Sequence, residues 1–183
     1  MQHSWSEIAS ISGFGLALMN NAFTLDYERV FRVMNECSVK FLLIGGLNYY
    51  LVHRPVSTQD IDLFISDNVE NRRRCELALE ELGAQWGRND EDWGPVEQKM
   101  PGWLSYQGVY CLLTIAGPVD IFRSVAGVAS FDRALVDSKE LIVGSKTVVR
   151  LIGTKDLLAC QMAIPETARR QDRVKHLREI LGQ

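Results

Sequence analysis

The sequence predicts an α/β domain, and three observations carry that expectation. Short apolar runs at 40–44, 60–65, 109–115 and 119–122 have the length and alternation of strands. Stretches with apolar residues at helical spacing lie between and after them. Glycine and proline punctuate the junctions, at Gly45-Gly46, Pro55, Gly83 and Gly117-Pro118.

In chain order, Thr24 is placed to cap a first helix whose opening turn carries Asp26 and Glu28. Tyr27, Val30, Phe31 and Met34 form its apolar stripe. A strand over 40–44 runs into Gly45-Gly46, a short helix over about 47–53 follows, and Pro55 stops it. Residues 60–65 alternate like a strand. Asn68 caps a helix that buries Cys75, Ala78, Leu79 and Leu82 and ends at Gly83. The acidic stretch 89–102, with two prolines, reads as a long loop. Loops of that length often serve function, so Trp93 or Trp103 is a candidate lid over a ligand; the alternative is a surface excursion. Strands over 109–115 and 119–122 follow, then strands over 141–143 and 146–151 joined by a two-residue Gly144-Ser145 hairpin turn. Helices over about 154–163 and 167–181 finish the chain.

A length of 183 residues suits one well-buried domain with an appendage. The apolar share of 46% and charged share of 23% are ordinary for a globular protein. A net charge of −3 argues against coating nucleic acid by bulk attraction. Cys37, Cys75, Cys111 and Cys160 are far apart and form no CxxC pair, as expected of free thiols in a reducing compartment. His3, His53 and His176 are too scattered for a metal cluster. Residues 1–22, rich in Ser, Gly and Asn, read as a loosely ordered leader. They have neither the basic start of a signal peptide nor a sustained apolar run, so a cytoplasmic location and no membrane contact are expected.

The chemistry concentrates in three carboxylates. Successive strand side chains alternate between faces, so Asp60 and Asp62 share one face while Ile61, Leu63 and Ile65 take the other. Asp120 is isolated in the same way between Val119 and Ile121. Acids on apolar strands repel one another and suffer desolvation unless a cation sits among them. Magnesium fits: it is hard, takes oxygen ligands and shares carboxylates with substrate phosphates. A pair of such ions can clamp both oxygens of a phosphoryl displacement. Gly45-Gly46, where a strand turns into a helix, lets backbone amides come close to a phosphate. It is not a P-loop, because no Gly-Lys-Ser/Thr follows.

Gly-Gly, a short helix, Asp60-Ile-Asp62 on a strand and a later strand acid, Asp120, together resemble the DNA polymerase β-like nucleotidyltransferase superfamily. The text Arg54-Pro-Val-Ser-Thr58-Gln-Asp60-Ile-Asp62 is similar to its small bacterial branch of abortive-infection (AbiEii-type) toxins. The resemblance spans about 39–181. It implies a minimal nucleotidyltransferase fold: a small mixed β-sheet flanked by helices, with a core over 23–152 and a C-terminal helical extension over 153–183 packed on it. It implies transfer of a nucleoside monophosphate from an NTP to a hydroxyl, with pyrophosphate leaving. Asp60, Asp62 and Asp120 would bind two Mg2+ ions, with Asp120 also helping to activate the acceptor. Gly45 and Gly46 would hold the triphosphate, with Arg54, Thr58, Gln161, Arg169 and Asp172 as further nucleotide-site residues. It also raises a cognate antitoxin as a partner.

One departure stands out. The family commonly has lysine where this chain has Gln161, which removes a phosphate-neutralising charge. Lys155 is six residues away and points about 120° from that face of a regular helix. Arg169, Asp172, Arg173 and His176 share one face at helical spacing, which is also what an ordinary solvated helix shows. Two other functions stay open. A catalytically degenerate nucleotidyltransferase fold, kept to bind nucleotide or a protein, is favoured by Gln161 and disfavoured by the intact acids. A metal-dependent nuclease also uses strand acids, but lacks a job for the glycines and expects an acid-x-Lys that this strand does not offer. The acceptor is open among a small molecule, a protein and tRNA. The basic residues of 169–178 would suit tRNA.

Overall fold

The computed structural model describes residues 25–183. Thr24 and the leader expected over 1–22 lie outside the described residues. Helix α1 (Tyr27–Glu36) is capped by Asp26, whose carboxylate accepts from the Arg29 amide at 3.1 Å, so the cap expected at Thr24 is supplied by Asp26. Val30, Phe31 and Met34 are fully buried, as the stripe required.

Eight strands form one mixed sheet in the order β4-β3-β5-β6-β2-β1-β8-β7. They are β1 (Phe41–Leu43), β2 (Ile61–Ile65), β3 (Gln85–Trp86), β4 (Gly94–Pro95), β5 (Val109–Thr114), β6 (Gly117–Phe122), β7 (Lys139–Val143) and β8 (Thr147–Leu151). The pairs β2–β6 and β1–β8 are parallel and the rest antiparallel. The other helices are α2 (Gly45–Val52), α3 (Val69–Glu81), α4 (Phe131–Val136), α5 (Thr154–Ala163) and α6 (Gln171–Leu181). No helix among the described residues is long and apolar enough to cross a membrane.

The period of two in the central strands divides the core into two. Ile61, Leu63, Val119 and Ile121 face α1 and α3 in the larger cluster. Leu42, Ile44 and Phe64 face the other way, onto Leu157, Leu158, Val174 and Leu177 of α5 and α6. Asp62 and Asp120 alternate with the first set, so they lie on the face that the C-terminal helices cover.

Several expected boundaries move. Helix α2 begins at Gly45, so both glycines belong to its first turn. Helix α4, which Ser130 caps, follows a stretch with no periodic signal. The hairpin turn has three residues, since Val143 pairs with Thr147. The last helix starts at Gln171, because Arg169 is extended and ends a separate 3-10 turn, Glu166–Ala168. The stretch 89–102 holds β4 and a 3-10 turn, Val96–Gln98. Neither tryptophan is a lid. Trp103 is buried, stacked on Trp86 with ring centroids 5.3 Å apart and edge-on to Tyr110. Trp93 donates to Gln85 on β3, two strands outside β6. Apolar burial won over exposure at Trp103, while a hydrogen bond ties the half-buried Trp93 to the sheet.

Candidate active site

Asp62 and Asp120 are direct partners in the parallel β2–β6 ladder. Asp60 stands two residues before Asp62 and on the same side. One carboxylate oxygen from each of the three lies within 4.8 Å of the others, a geometry that could hold a metal ion. Thr58 steadies the first acid: its hydroxyl lies 3.3 Å from the Asp60 carbonyl and 3.4 Å from Asp60 Oδ1. Across the β5–β6 ladder Cys111 faces Asp120, and its thiol is hydrogen-bonded to that carboxylate. Burial, then Asp120, pushes the Cys111 thiol well up, so it stays protonated and acts as a donor.

The clustering has an electrostatic cost. Burial, followed by the charges of Asp60 and Asp120, pushes Asp62 up to about 8. The Gly46 amide, which donates to the Asp62 carboxylate, and the Arg173 guanidinium pull it back in part. Oxygen donors of this kind, converging and repelling one another, fit a hard divalent cation.

The two glycines are explained first by the side chains packed against them, Asp62 at Gly45 and Thr58 at Gly46. Gly45 has φ +65°, and a side chain there would overlap the Asp62 carboxylate, with Asp62 Cγ 2.6 Å from the added carbon. A carbon added at Gly46 would sit 2.6 Å from Thr58 Oγ1. Ile44 occupies the N-cap of α2 and supplies no side-chain hydrogen bond. The first-turn amides therefore remain directed at the acids and at anything bound beside them.

A cleft of about 1230 Å³ opens over Asp60 and Asp62. Gly45, Gly46, Thr58, Asp60 and Asp62 form one wall, while Gln161, Arg170, Asp172 and Arg173 stand on α5 and α6 opposite. Gln161 is 7% exposed and its Oε1 has no hydrogen-bond partner among the described residues. Two expected residues are elsewhere. Arg54 is exposed and outside the cleft wall. Arg169 turns away: its guanidinium caps α5, reaching the carbonyls of Met162 at 2.9 Å and Ile164 at 3.0 Å. The residue that sequence reasoning left unassigned is Arg173, four residues after Arg169 and half-buried in the wall. The spacing of Val174 and Leu177, both buried, was the available signal for how α6 is rotated.

The mixed sheet and its flanking helices form a nucleotidyltransferase fold, and solved structures share it. The chain is similar to the crystal structure of ANT(2")-Ia in complex with adenylyl-2"-tobramycin, with 15% identity and a TM-score of 0.55. The match covers 85% of this chain and 87% of that one. It is equally similar to the solution structure of the same antibiotic-resistance factor, at 14% identity and a TM-score of 0.55, covering 85% of this chain and 82% of that one. No protein-family model and no curated protein sequence matches this chain.

Proposed function

We propose that this protein is a magnesium-dependent nucleotidyltransferase that moves a nucleoside monophosphate from an NTP to an acceptor hydroxyl and releases pyrophosphate. The observation that carries this is the convergence of Asp60, Asp62 and Asp120 within 4.8 Å beside the N-terminus of α2, where the N-cap residue Ile44 supplies no side-chain hydrogen bond. The three acids fit two Mg2+ ions, which when bound supply charge neutralisation for the triphosphate and the attacking oxygen. The chain's own residues do the rest. Thr58 holds Asp60 in place, and Cys111 orients Asp120 by donating to one carboxylate. Asp120 is then positioned to take the proton of the acceptor hydroxyl as that oxygen bonds to the α-phosphorus and the bond to pyrophosphate breaks. The amides of the first turn of α2 receive the phosphates. Gln161 and Asp172 line the nucleotide cleft, whereas Arg54 and Arg169 play no direct part.

The structurally similar ANT(2")-Ia is seen with an adenylylated antibiotic, which supports ATP as donor and a small molecule as one acceptor to test. The text from Arg54 to Asp62 supports the AbiEii-type branch instead, with a protein or tRNA acceptor and an antitoxin partner in the cytoplasm. Incubating purified protein with each α-labelled NTP, magnesium and a panel of aminoglycosides, tRNA and cell extract tests both. Label transferred to an acceptor, lost on chelation of magnesium, is the expected result. The second reading, a degenerate nucleotide-binding module, is favoured by the uncharged Gln161. Binding of magnesium and NTP without any transfer would select it.

A further inference from the structure

We propose that Arg173 on α6 is the residue that neutralises the triphosphate in this chain, with Tyr49 holding its guanidinium in position. The inference rests on the nucleotidyltransferase reading above and names a residue that this reading does not require.

The rotation of α6 is set by burial. Val174 and Leu177 go into the core with Leu42, Ile44 and Phe64, which leaves the preceding residue at the edge of the cleft. Arg173 reaches from there to the first turn of α2, its Nη1 only 3.8 Å from where a side-chain carbon at Gly46 would begin. Its guanidinium lies over the Tyr49 ring at 5.3 Å. Gly46 and Tyr49 are three residues apart on α2 and so lie on the same side of that helix. Tyr49 is buried, so the platform under the guanidinium is rigid. Stacking on an aromatic face holds the planar fork before any ligand arrives, which reduces the entropy lost on binding.

Charge points the same way. Arg173 lines the same cleft as Asp60 and Asp62, so its charge lies on the side from which a phosphate would approach the acids. In the cleft it faces amides that donate to anions, and a phosphate bridging the two helices would receive both. Position 161 supplies only a neutral amide. Arg170, at the N-cap of α6, is exposed to solvent, where its charge is screened.

The test compares magnesium–ATP with magnesium–AMP by isothermal titration. Arg173→Gln is expected to lose roughly tenfold or more in ATP affinity while AMP affinity changes by less than about twofold. Arg173→Lys should fall between, since it keeps the charge and loses the fork. Lys175→Gln removes one exposed charge from the same helix and should leave ATP binding unchanged. Adding Gln161→Lys to Arg173→Gln should recover ATP affinity, because a cation then returns to the opposite wall. A variant Arg173→Gln that binds ATP like wild type overturns the proposal, as does an equal loss for ATP and AMP. A wild-type protein that binds no magnesium–NTP overturns the nucleotidyltransferase reading itself, a result distinct from either.

Discussion

Asp62 and Asp120 stand side by side in register on two parallel strands, with Asp60 completing a group whose oxygens lie within 4.8 Å. Nothing in the fold requires acids at these positions, since their neighbours Ile61, Leu63, Val119 and Ile121 are all fully buried. The arrangement costs electrostatic energy without a cation and repays it with one.

The protonation of Asp62 gives the metal-free protein a diagnostic pH response. Its folded value of about 8 is far above the usual 3.8. Between those values the folded state keeps a proton that the unfolded chain has released, so stability falls as pH rises through that window. On the proposed reading magnesium needs the ionised carboxylate and would displace this proton, so its affinity should strengthen with pH up to about 8. Asp62→Asn should flatten the pH curve, melt at the same or a higher temperature without magnesium, and gain no stability from it. Melting curves over pH, with and without magnesium, decide the matter; a wild-type curve indifferent to the ion would count against the metal site.

Asp67 should respond in the opposite sense. Arg123 grips its two oxygens at 2.7 and 2.8 Å, and Arg72 adds a third contact at 2.6 Å. These contacts hold its carboxyl below the usual range despite partial burial. Its contribution is present above the ordinary carboxylate value and disappears as pH falls through the lowered one. Asp67 follows β2 and Arg123 follows β6, so the pair ties together the strands that carry the acids. Because both groups are partly exposed, Asp67→Asn should cost only about 1 kcal/mol. A double-mutant cycle with Arg123→Gln at neutral pH measures this, and the coupling should vanish in acid.

Substitutions at the two glycines should separate fold from ligand binding. Gly45→Ala meets both a left-handed backbone and the Asp62 carboxylate, so about 1–2 kcal/mol of backbone strain adds to a displaced acid. Stability and magnesium binding should fall together. Gly46→Val meets mainly the movable Thr58 side chain, so the fold should largely survive while NTP binding is blocked. Denaturation paired with titration of magnesium–ATP distinguishes them; normal ATP binding by Gly46→Val would place the phosphates elsewhere.

Trp103→Ala should act as a core mutation. Its ring is packed between Trp86 and Tyr110, and truncation should cost about 3–5 kcal/mol in unfolding free energy. The surviving folded fraction should bind NTP with unchanged affinity. A selective loss of NTP binding at unchanged stability would restore the lid.

Local pattern made much of this legible. Period-two alternation put Asp60 and Asp62 on one face, and apolar spacing located α1 and α3. These signals are carried within a few residues, where backbone geometry alone sets which way a side chain points. The signal failed where long-range contacts decide. The 131–136 helix lacks apolar periodicity, and Trp103 in isolation resembles any loop tryptophan. Arg169 and Arg173 read as one helical face until an extended backbone at Arg169 separated them.

By itself, the sequence determined which side chains carry charge, which segments alternate and where glycine permits a close approach. Only the tertiary structure decided that β2 and β6 pair in parallel with Asp62 beside Asp120, and that Gly45 is bare because Asp62 lies against it. It also decided that Arg173, and not Arg169 or Arg54, faces the cleft. The physical reason is range. A side chain's direction along its own strand or helix follows from local dihedral angles. Which elements meet follows from the burial of Leu42, Phe64, Val174 and Leu177 against one another, contacts between residues far apart in the chain.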